Sequence, residues 1–291
     1  MAFIDIIAPN NLAAFDPMIP DILKAEFIGE RDLRFYGISE EGTAAGVVII
    51  KEIAESVEIR YMYLVPVYRG LGMLDQMLMQ LFMDLKEEGF TKAVVNYLPS
   101  QFASFKAISD RFGFREIIGG ETYLRFKADA IKKCPVSTYE PRGIMRVMYL
   151  PKDKQERLFK MIDKSFSFPG ARSVKDKDYL TYSMAYLENG EPKGALIVQN
   201  PRMDYLSATD DKDKFPEPGA YDLLLFFVGT LSLKAPLYLM SGLCRLLQNE
   251  LPDDAVMTGY FPEAHVAKLL ENALGVTGEH RICATLDFDD L

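Results

Sequence analysis

Hydrophobic and polar positions fall into short strand-like blocks early in the chain, then switch to a helical period. Phe3 to Ile7 is a short apolar strand. Leu12 to Phe27 predicts a helix interrupted by Pro17 and Pro20. Leu33 to Ile38 and Ala45 to Ile53, separated by Glu40-Glu41-Gly42-Thr43, predict a hairpin. Val57 to Leu64 is a further strand, ended by Pro66, whose missing N–H suits the end of a ladder. From Gly72 to Glu88 the period changes. Met73, Met77, Leu81 and Leu85 recur every four residues beside Leu74, Leu78 and Phe82, which makes one wide apolar stripe on a helix. Gly89 suits its left-handed cap. Ala93 to Tyr97 reads as a strand, Gln101 to Arg111 as a short helix and Thr122 to Lys127 as a closing strand.

Ala128 to Pro141 holds two prolines and Lys132-Lys133 and lacks periodicity, so it reads as a linker. The pattern then repeats in outline. Met184–Leu187 and Gly194–Gln199 flank Glu188-Asn189-Gly190-Glu191 as a second hairpin, with Gly194 placed as Gly46 is. Tyr221–Val228 matches the strand Val57–Leu64. Pro236–Leu251 matches the long helix, Ala255–Tyr260 the strand Ala93–Tyr97, Ala264–Leu274 the short helix and His280–Phe288 the closing strand. The prediction is a mixed α+β chain of two domains, residues 1–130 and 142–291.

Composition narrows the function classes. Of 291 residues, 49% are hydrophobic and 26% charged, which is a globular balance. Acidic residues number 42 against 33 basic, a net charge of −9, and neither half is basic, so no nucleic-acid partner is expected. No apolar run approaches the roughly 18–20 residues that span a bilayer, so no membrane partner is expected either. Three cysteines without CxxC spacing point to a reduced, cytoplasmic setting. Two isolated histidines give no histidine-based metal site, and no metal is expected. Most of the 14 methionines, Met73, Met77 and Met79 included, read as core filler. Cys244 and His265 likewise read as packed residues.

The informative segment runs from Val57 to Leu74. A β-branched and aromatic strand ends at proline, a tight Tyr68-Arg69-Gly70-Leu71-Gly72 turn follows, and a long amphipathic helix begins. Glycines let a ligand approach the backbone, and the first helical turn presents N–H groups and the positive end of the dipole. Together they suit a phosphate or diphosphate. Arg-Gly-x-Gly alone is a weak pattern, and a plain strand–turn–helix connection is the competing reading. The order strand, proline, glycine turn and helix, in a unit that later reaches Gly113-Phe114, carries more weight.

On these residues the first 127 positions resemble the GNAT superfamily of acyl-CoA N-acyltransferases, and the second half looks like a degenerate copy of the same fold. The resemblance implies tandem GNAT-like folds, each a twisted, mostly antiparallel sheet flanked by helices. Arg69, Gly70, Leu71, Gly72, Met73 and Leu74 sit on the family's Gln/Arg-x-x-Gly-x-Gly/Ala pyrophosphate loop. The resemblance further implies acetyl-CoA as cosubstrate, with Met62, Tyr63 and Leu64 along its pantetheine arm and thioester, and direct attack by a primary amine of a small molecule or peptide. Glu58, six residues before Leu64, is the candidate base. Even spacing would place Glu58, Arg60, Met62 and Leu64 on one strand face; the bland alternative is a strand charge paired with Arg60. Ser109 stands where the family often carries a tyrosine acid, and Tyr97 is a possible substitute or a packed aromatic. Leu74 replaces the last small residue of the loop, and Asp75 places a carboxylate in the first turn of the helix.

The segment Gly229 to Pro236 has no glycine pair and no arginine, so one acyl-CoA site is expected, in the first domain. The acceptor groove is expected around Pro17 to Ile28 and part of the second domain. A non-catalytic acyl-CoA-binding or regulatory GNAT-like protein is the alternative function, and a monomer or homodimer the expected assembly.

Overall fold

The computed structural model describes residues 2–8, 11–20, 23–24, 32–165, 181–199, 221–227, 235–261 and 264–291. These form two compact units. The first takes in residues up to 120 together with 280–291, and the second the intervening described residues.

In the first unit, β1 (Ala2–Ile6), β2 (Leu33–Glu40), β3 (Thr43–Ile53) and β4 (Ser56–Leu64) form an antiparallel run. The β2–β3 turn places Glu41 and Gly42 at positive φ, as a tight hairpin requires. β5 (Lys92–Tyr97) joins β4 in parallel. Its other edge pairs antiparallel with β12 (Glu279–Asp287), Asn96 opposite Cys283 and Val95 opposite Ala284. Helix α2 (Met73–Glu87) buries Met77, Leu78, Leu81, Phe82 and Leu85 against one sheet face, where they meet Val48, Ile50, Val57, Ile59, Met62 and Leu64. Met73 packs at the edge of this core, but Met79 is exposed, because it lies off the apolar stripe. Gly89 has φ 99° and ends the helix as the sequence predicts. Helix α3 (Phe105–Phe112) adds Phe105 and Ile108 to the same core and ends at Gly113, φ 76°.

The opposite sheet face carries Phe35, Val47, Ile49 and Tyr61, all fully buried. Within the predicted early helix, the described residues form a single turn, α1 (Leu12–Phe15), a 3-10 turn at Asp16–Met18 and a helical Leu23–Lys24. Pro17 and Pro20 account for the interruption, since proline cannot donate to a helical ladder. Part of the predicted helix, and part of the expected acceptor groove from Pro17 to Ile28, lies outside the described residues. Phe15 packs directly on Gly37, where a Cβ would stand 2.4 Å from the ring. Tyr61 donates its hydroxyl hydrogen to the carbonyl of Met18 at 2.9 Å.

β6 (Arg115–Lys127) starts earlier than the predicted closing strand, and the boundary between units falls inside it. Its Thr122–Lys127 segment pairs with β11 (Val256–Phe261) in the second unit. That unit repeats the first. β8 (Met184–Glu188), β9 (Glu191–Gln199) and β10 (Tyr221–Phe227) are antiparallel, and β10 joins β11 in parallel. Gly194 opposes Phe227 near the end of β10 as Gly46 opposes Leu64 at the end of β4. Helices α6 (Ala235–Glu250) and α7 (Ala264–Leu274) follow the predicted positions. Residues 228–234, most of the segment that replaces the glycine loop, lie outside the described residues. His265 is exposed on α7, whereas Cys244 is buried and its thiol donates to the Ile131 carbonyl.

Three expectations need correction. The two closing strands trade places: β12 completes the first unit and the end of β6 the second. The compact units therefore do not follow the boundaries 1–130 and 142–291. The supposed linker is built structure, with α4 (Ala128–Lys132) and a 3-10 turn at Pro135–Thr138. Ala128, Ile131, Cys134 and Val136 are buried in the second core, a spacing of about three that the two prolines disguise. Finally, β7 (Ile144–Arg146) and α5 (Lys152–Ser165) extend the second unit beyond what the pattern predicts.

Leu286→Ala removes a fully buried β12 side chain from the first core and is expected to cost about 2–5 kcal/mol in urea unfolding. Hydrogen exchange checks the assignment: the amides of β5 should exchange faster in this variant. Acceleration confined to β11 would place β12 with the second unit.

Candidate acyl-CoA site

The site is built where β4 leaves β5. The two strands pair from Ser56–Lys92 to Ile59–Val95 and no further, although β4 runs on to Leu64 and β5 to Tyr97. A β-bulge sits at the same point. Glu58 opposes Lys51, Ile59 opposes Ile50 and Tyr61 already opposes Ile49, which makes Arg60 the extra residue. A bulge bends its strand and raises the local twist. It also resets the alternation. Met62 and Leu64 face α2 with Ile59, whereas Glu58 and Tyr61 lie on the other face with Lys51 and Ile49. The expectation that Glu58, Arg60, Met62 and Leu64 share one face is therefore wrong, because strict alternation ends at Arg60.

After β4, a 3-10 turn at Pro66–Tyr68 leads to Gly70 and Gly72, with φ of 77° and 72°. Both are in the left-handed region that side-chain-bearing residues avoid. Gly72 is the N-cap of α2, and its carbonyl accepts the first helical hydrogen bond, from the Gln76 amide at 3.2 Å. The amides of the first turn, ahead of Gln76, have no partner within the helix.

These parts enclose a cavity of about 460 Å³. Met62 and Leu64 of β4, Arg69, Gly70 and Gly72 of the turn, and Met73 and Leu74 of α2 line it. Of the expected cofactor-binding residues, Tyr63 and Leu71 do not line it. Tyr63 lies on the other strand face, and Leu71 is 70% exposed. Tyr68, Asp75 and the α3 side, with Ser104, Ile108 and Arg111, complete the lining. The sequence reading missed the α3 contribution because it depends on how that helix docks. Arg69 is tied to the strand end: its Nε donates to the Leu64 carbonyl at 2.7 Å, and its guanidinium lies 5.4 Å from the Tyr63 ring centroid.

None of the three acid–base candidates lines this cavity. Glu58 is buried, and both its oxygens are engaged. Asn96 Nδ2 donates to Oε1 at 2.8 Å, and Arg60 Nε lies 3.3 Å from Oε2. Cys283 of β12 stands opposite Asn96. Burial pushes its thiol up, with the Glu58 charge acting in the same direction and Arg281 against it. Tyr97 and Ser109 converge instead on Glu116. Tyr97 is buried beside Phe102 and Phe105, and its hydroxyl donates to Glu116 Oε1 at 3.2 Å. Burial and then the Glu116 charge push the phenol up to about 12. Lys106 Nζ donates to Glu116 Oε2 at 3.1 Å. Burial alone would raise the Glu116 carboxyl, but Ser109, Lys106 and Tyr97 outweigh it and hold the group below its ordinary range. The Ser109 hydroxyl is close enough to favour the carboxylate, although it makes no hydrogen bond of good geometry in this conformer.

Among the described residues, no group of three or more His, Cys, Asp or Glu side chains could hold a metal ion. No helix there is long and apolar enough to cross a membrane.

Comparison with known proteins fits this geometry. Residues 3–114 match the family model described as Acetyltransferase (GNAT) family. That stretch belongs to the GNAT family. The match ends just before β6, where the first unit gives up its own closing strand. The GNAT resemblance extends in fold to the whole chain. A GCN5-related N-acetyltransferase from Sphaerobacter thermophilus is 12% identical, with a TM-score of 0.67, 99% of this chain covered and 96% of the other. A tandem GNAT protein from the clavulanic acid biosynthesis pathway is 14% identical, with a TM-score of 0.62 and 99% of both chains covered. A GCN5-related N-acetyltransferase from Kribbella flavida is 12% identical, with a TM-score of 0.52, 99% of this chain covered and 72% of the other. At these identities the likeness is one of fold. No curated protein sequence matches the chain.

The Tyr97 phenol predicts an alkaline signature. A group whose folded pKa is raised stabilises the fold fully below its unfolded pKa and loses that contribution as pH rises through the folded value. The unfolded tyrosine titrates near 10 and the folded one at about 12. The stability difference between the wild type and Tyr97→Phe should therefore shift in favour of the variant between about pH 10 and pH 12. A difference that stays constant over that window in urea titrations would show that Tyr97 ionises equally in both states.

Proposed function

We propose that this protein is an N-acetyltransferase that moves an acetyl group from acetyl-CoA to a primary amine by direct attack, with its active site in the first unit. The supporting observation is the cavity that opens where β4 and β5 part and ends on the Gly70–Gly72 turn and the first turn of α2. The diphosphate meets uncommitted amides and the positive helix end there. Pantetheine lies along the β4 edge from Met62 to Leu64, which β5 does not take up, and pairs with it as an added strand does. A backbone N–H of this edge, near Leu64, polarises the thioester carbonyl.

The bulge puts the cavity on the face of α2 and α3 and turns Glu58 to the face that carries Tyr61. Glu58 is the base in this reading. It takes the proton through a water or after a shift of the Arg60 contact, since both oxygens are held in the described conformer. Tyr97 is a hydrogen-bonding partner of Glu116 and Ser109 a buried neighbour of it, and protonation of the departing thiolate falls to solvent. A primary amine on a small molecule or a peptide is the acceptor class.

One observation favours a second reading. Glu58 is fully engaged and neither Tyr97 nor Ser109 reaches the cavity, an arrangement that also suits a protein that binds acyl-CoA without turning it over.

Two measurements separate the readings. Calorimetry should detect acetyl-CoA binding, and Gly72→Val should weaken it at least about tenfold while costing about 1–2 kcal/mol of stability, because a β-branched residue is strained at that φ. Unchanged affinity in this variant would move the ligand away from the turn. Thiol release with a panel of amines tests turnover. Glu58→Gln should lower the rate roughly 100-fold or more with acetyl-CoA affinity preserved. Arg60 then loses its buried counter-charge, which costs about 3–5 kcal/mol, so the Glu58→Gln/Arg60→Gln pair serves as the neutral control and should be equally slow. Full activity in either variant removes Glu58 from the mechanism. Tight binding without thiol release in the wild type supports the non-catalytic reading.

A further inference from the structure

Two arginines border the cavity, and they are held differently. Arg69 is fixed to the end of β4 through the Leu64 carbonyl and the Tyr63 ring. Arg111, in the last turn of α3, reaches across to α2 and places its guanidinium 2.9 Å from Asp75 Oδ1. Asp75 belongs to the first turn of α2, the place where a diphosphate would sit. Both partners of this pair line the cavity, and their side chains are 55% and 30% exposed.

A carboxylate at that position favours the helix and repels a phosphate. The pair with Arg111 cancels the repulsion, and a diphosphate entering the cavity offers Arg111 a second anionic partner. We propose that Arg111 is the phosphate-binding cation of this site and that Asp75 competes with the ligand diphosphate for it, so that the pair sets the affinity for acyl-CoA. The inference rests on the acyl-CoA reading of the cavity and adds to it a pair of affinity-determining side chains. Because the ion pair is partly exposed, its strength is modest and an exchange of partners is cheap. Selectivity follows from the same arithmetic: a thioester without a diphosphate gains nothing from breaking the pair.

The test is the affinity of CoA for the full-length protein by calorimetry, with thermal melting as a fold control. Asp75→Asn should tighten CoA by about three- to tenfold, since it frees Arg111 and removes a negative charge. Arg111→Gln should weaken CoA by a similar factor, since it leaves Asp75 to repel the ligand. The double variant should return to within about twofold of the wild type. Opposite signs for the single variants are the signature, because a merely stabilising surface pair would lower the melting temperature in both and move neither affinity. Dephospho-CoA, which keeps the diphosphate and lacks the 3′-phosphate, should show the same pattern. If the pattern disappears with dephospho-CoA, Arg111 serves the 3′-phosphate and the proposed competition is overturned. Variants that bind CoA as the wild type does also overturn it, while leaving the acyl-CoA site in place. A folded wild type that binds no CoA at all overturns the reading of the cavity itself.

Discussion

The site depends on one strand parting from another. β4 pairs with β5 through Ile59 and Val95 and then goes its own way. A sheet resists such a break, because every backbone group that leaves the ladder must find another partner. The bulge at Arg60 supplies the bend, and the ion pair with Glu58 absorbs the extra residue's charge inside the protein. On its far edge β5 is held along its whole length by β12, so β4 is the strand that departs. Cavity, glycine turn and helix end follow in sequence from that departure.

Charge is arranged in three separate groups around the opening. Glu58, Arg60 and Asn96 form a buried cluster on one sheet face. Tyr97, Ser109, Lys106 and Glu116 form another around the base of α3. Asp75 and Arg111 form a third at the rim of the cavity. The first two are closed systems in which each charge has partners at hand, which fixes geometry. The third is the one positioned to trade its partner for a ligand.

Much of this was legible in the sequence, and the rest was hidden for identifiable reasons. The four-residue recurrence from Met73 to Leu85 gave helix, face and extent, and the paired glycines at 70 and 72 gave the turn. The bulge was not legible, since Val57 to Leu64 alternates plausibly straight through Arg60. The exchange of closing strands was hidden because Thr122–Lys127 and His280–Phe288 carry the same kind of pattern, and pattern does not name a partner. The partners of Tyr97 and Asp75 come from α3 and β6, whose placement is a matter of tertiary packing. Prolines at 135 and 141 masked a buried run that spacing alone would have revealed.

The exchanged strand also bears on how the chain folds as it is made. Topologically the second unit is an insertion between two pieces of the first, since β12 returns after all of it. Domains usually fold from the N-terminus as the chain emerges. Here the first unit has its helices and five strands early, yet one edge of β5 stays bare until the whole second unit has been synthesised. The nascent protein thus carries an open sheet edge for most of its synthesis, the kind of surface that invites mispairing. The glycine turn is made early, but the sheet that supports it is completed last.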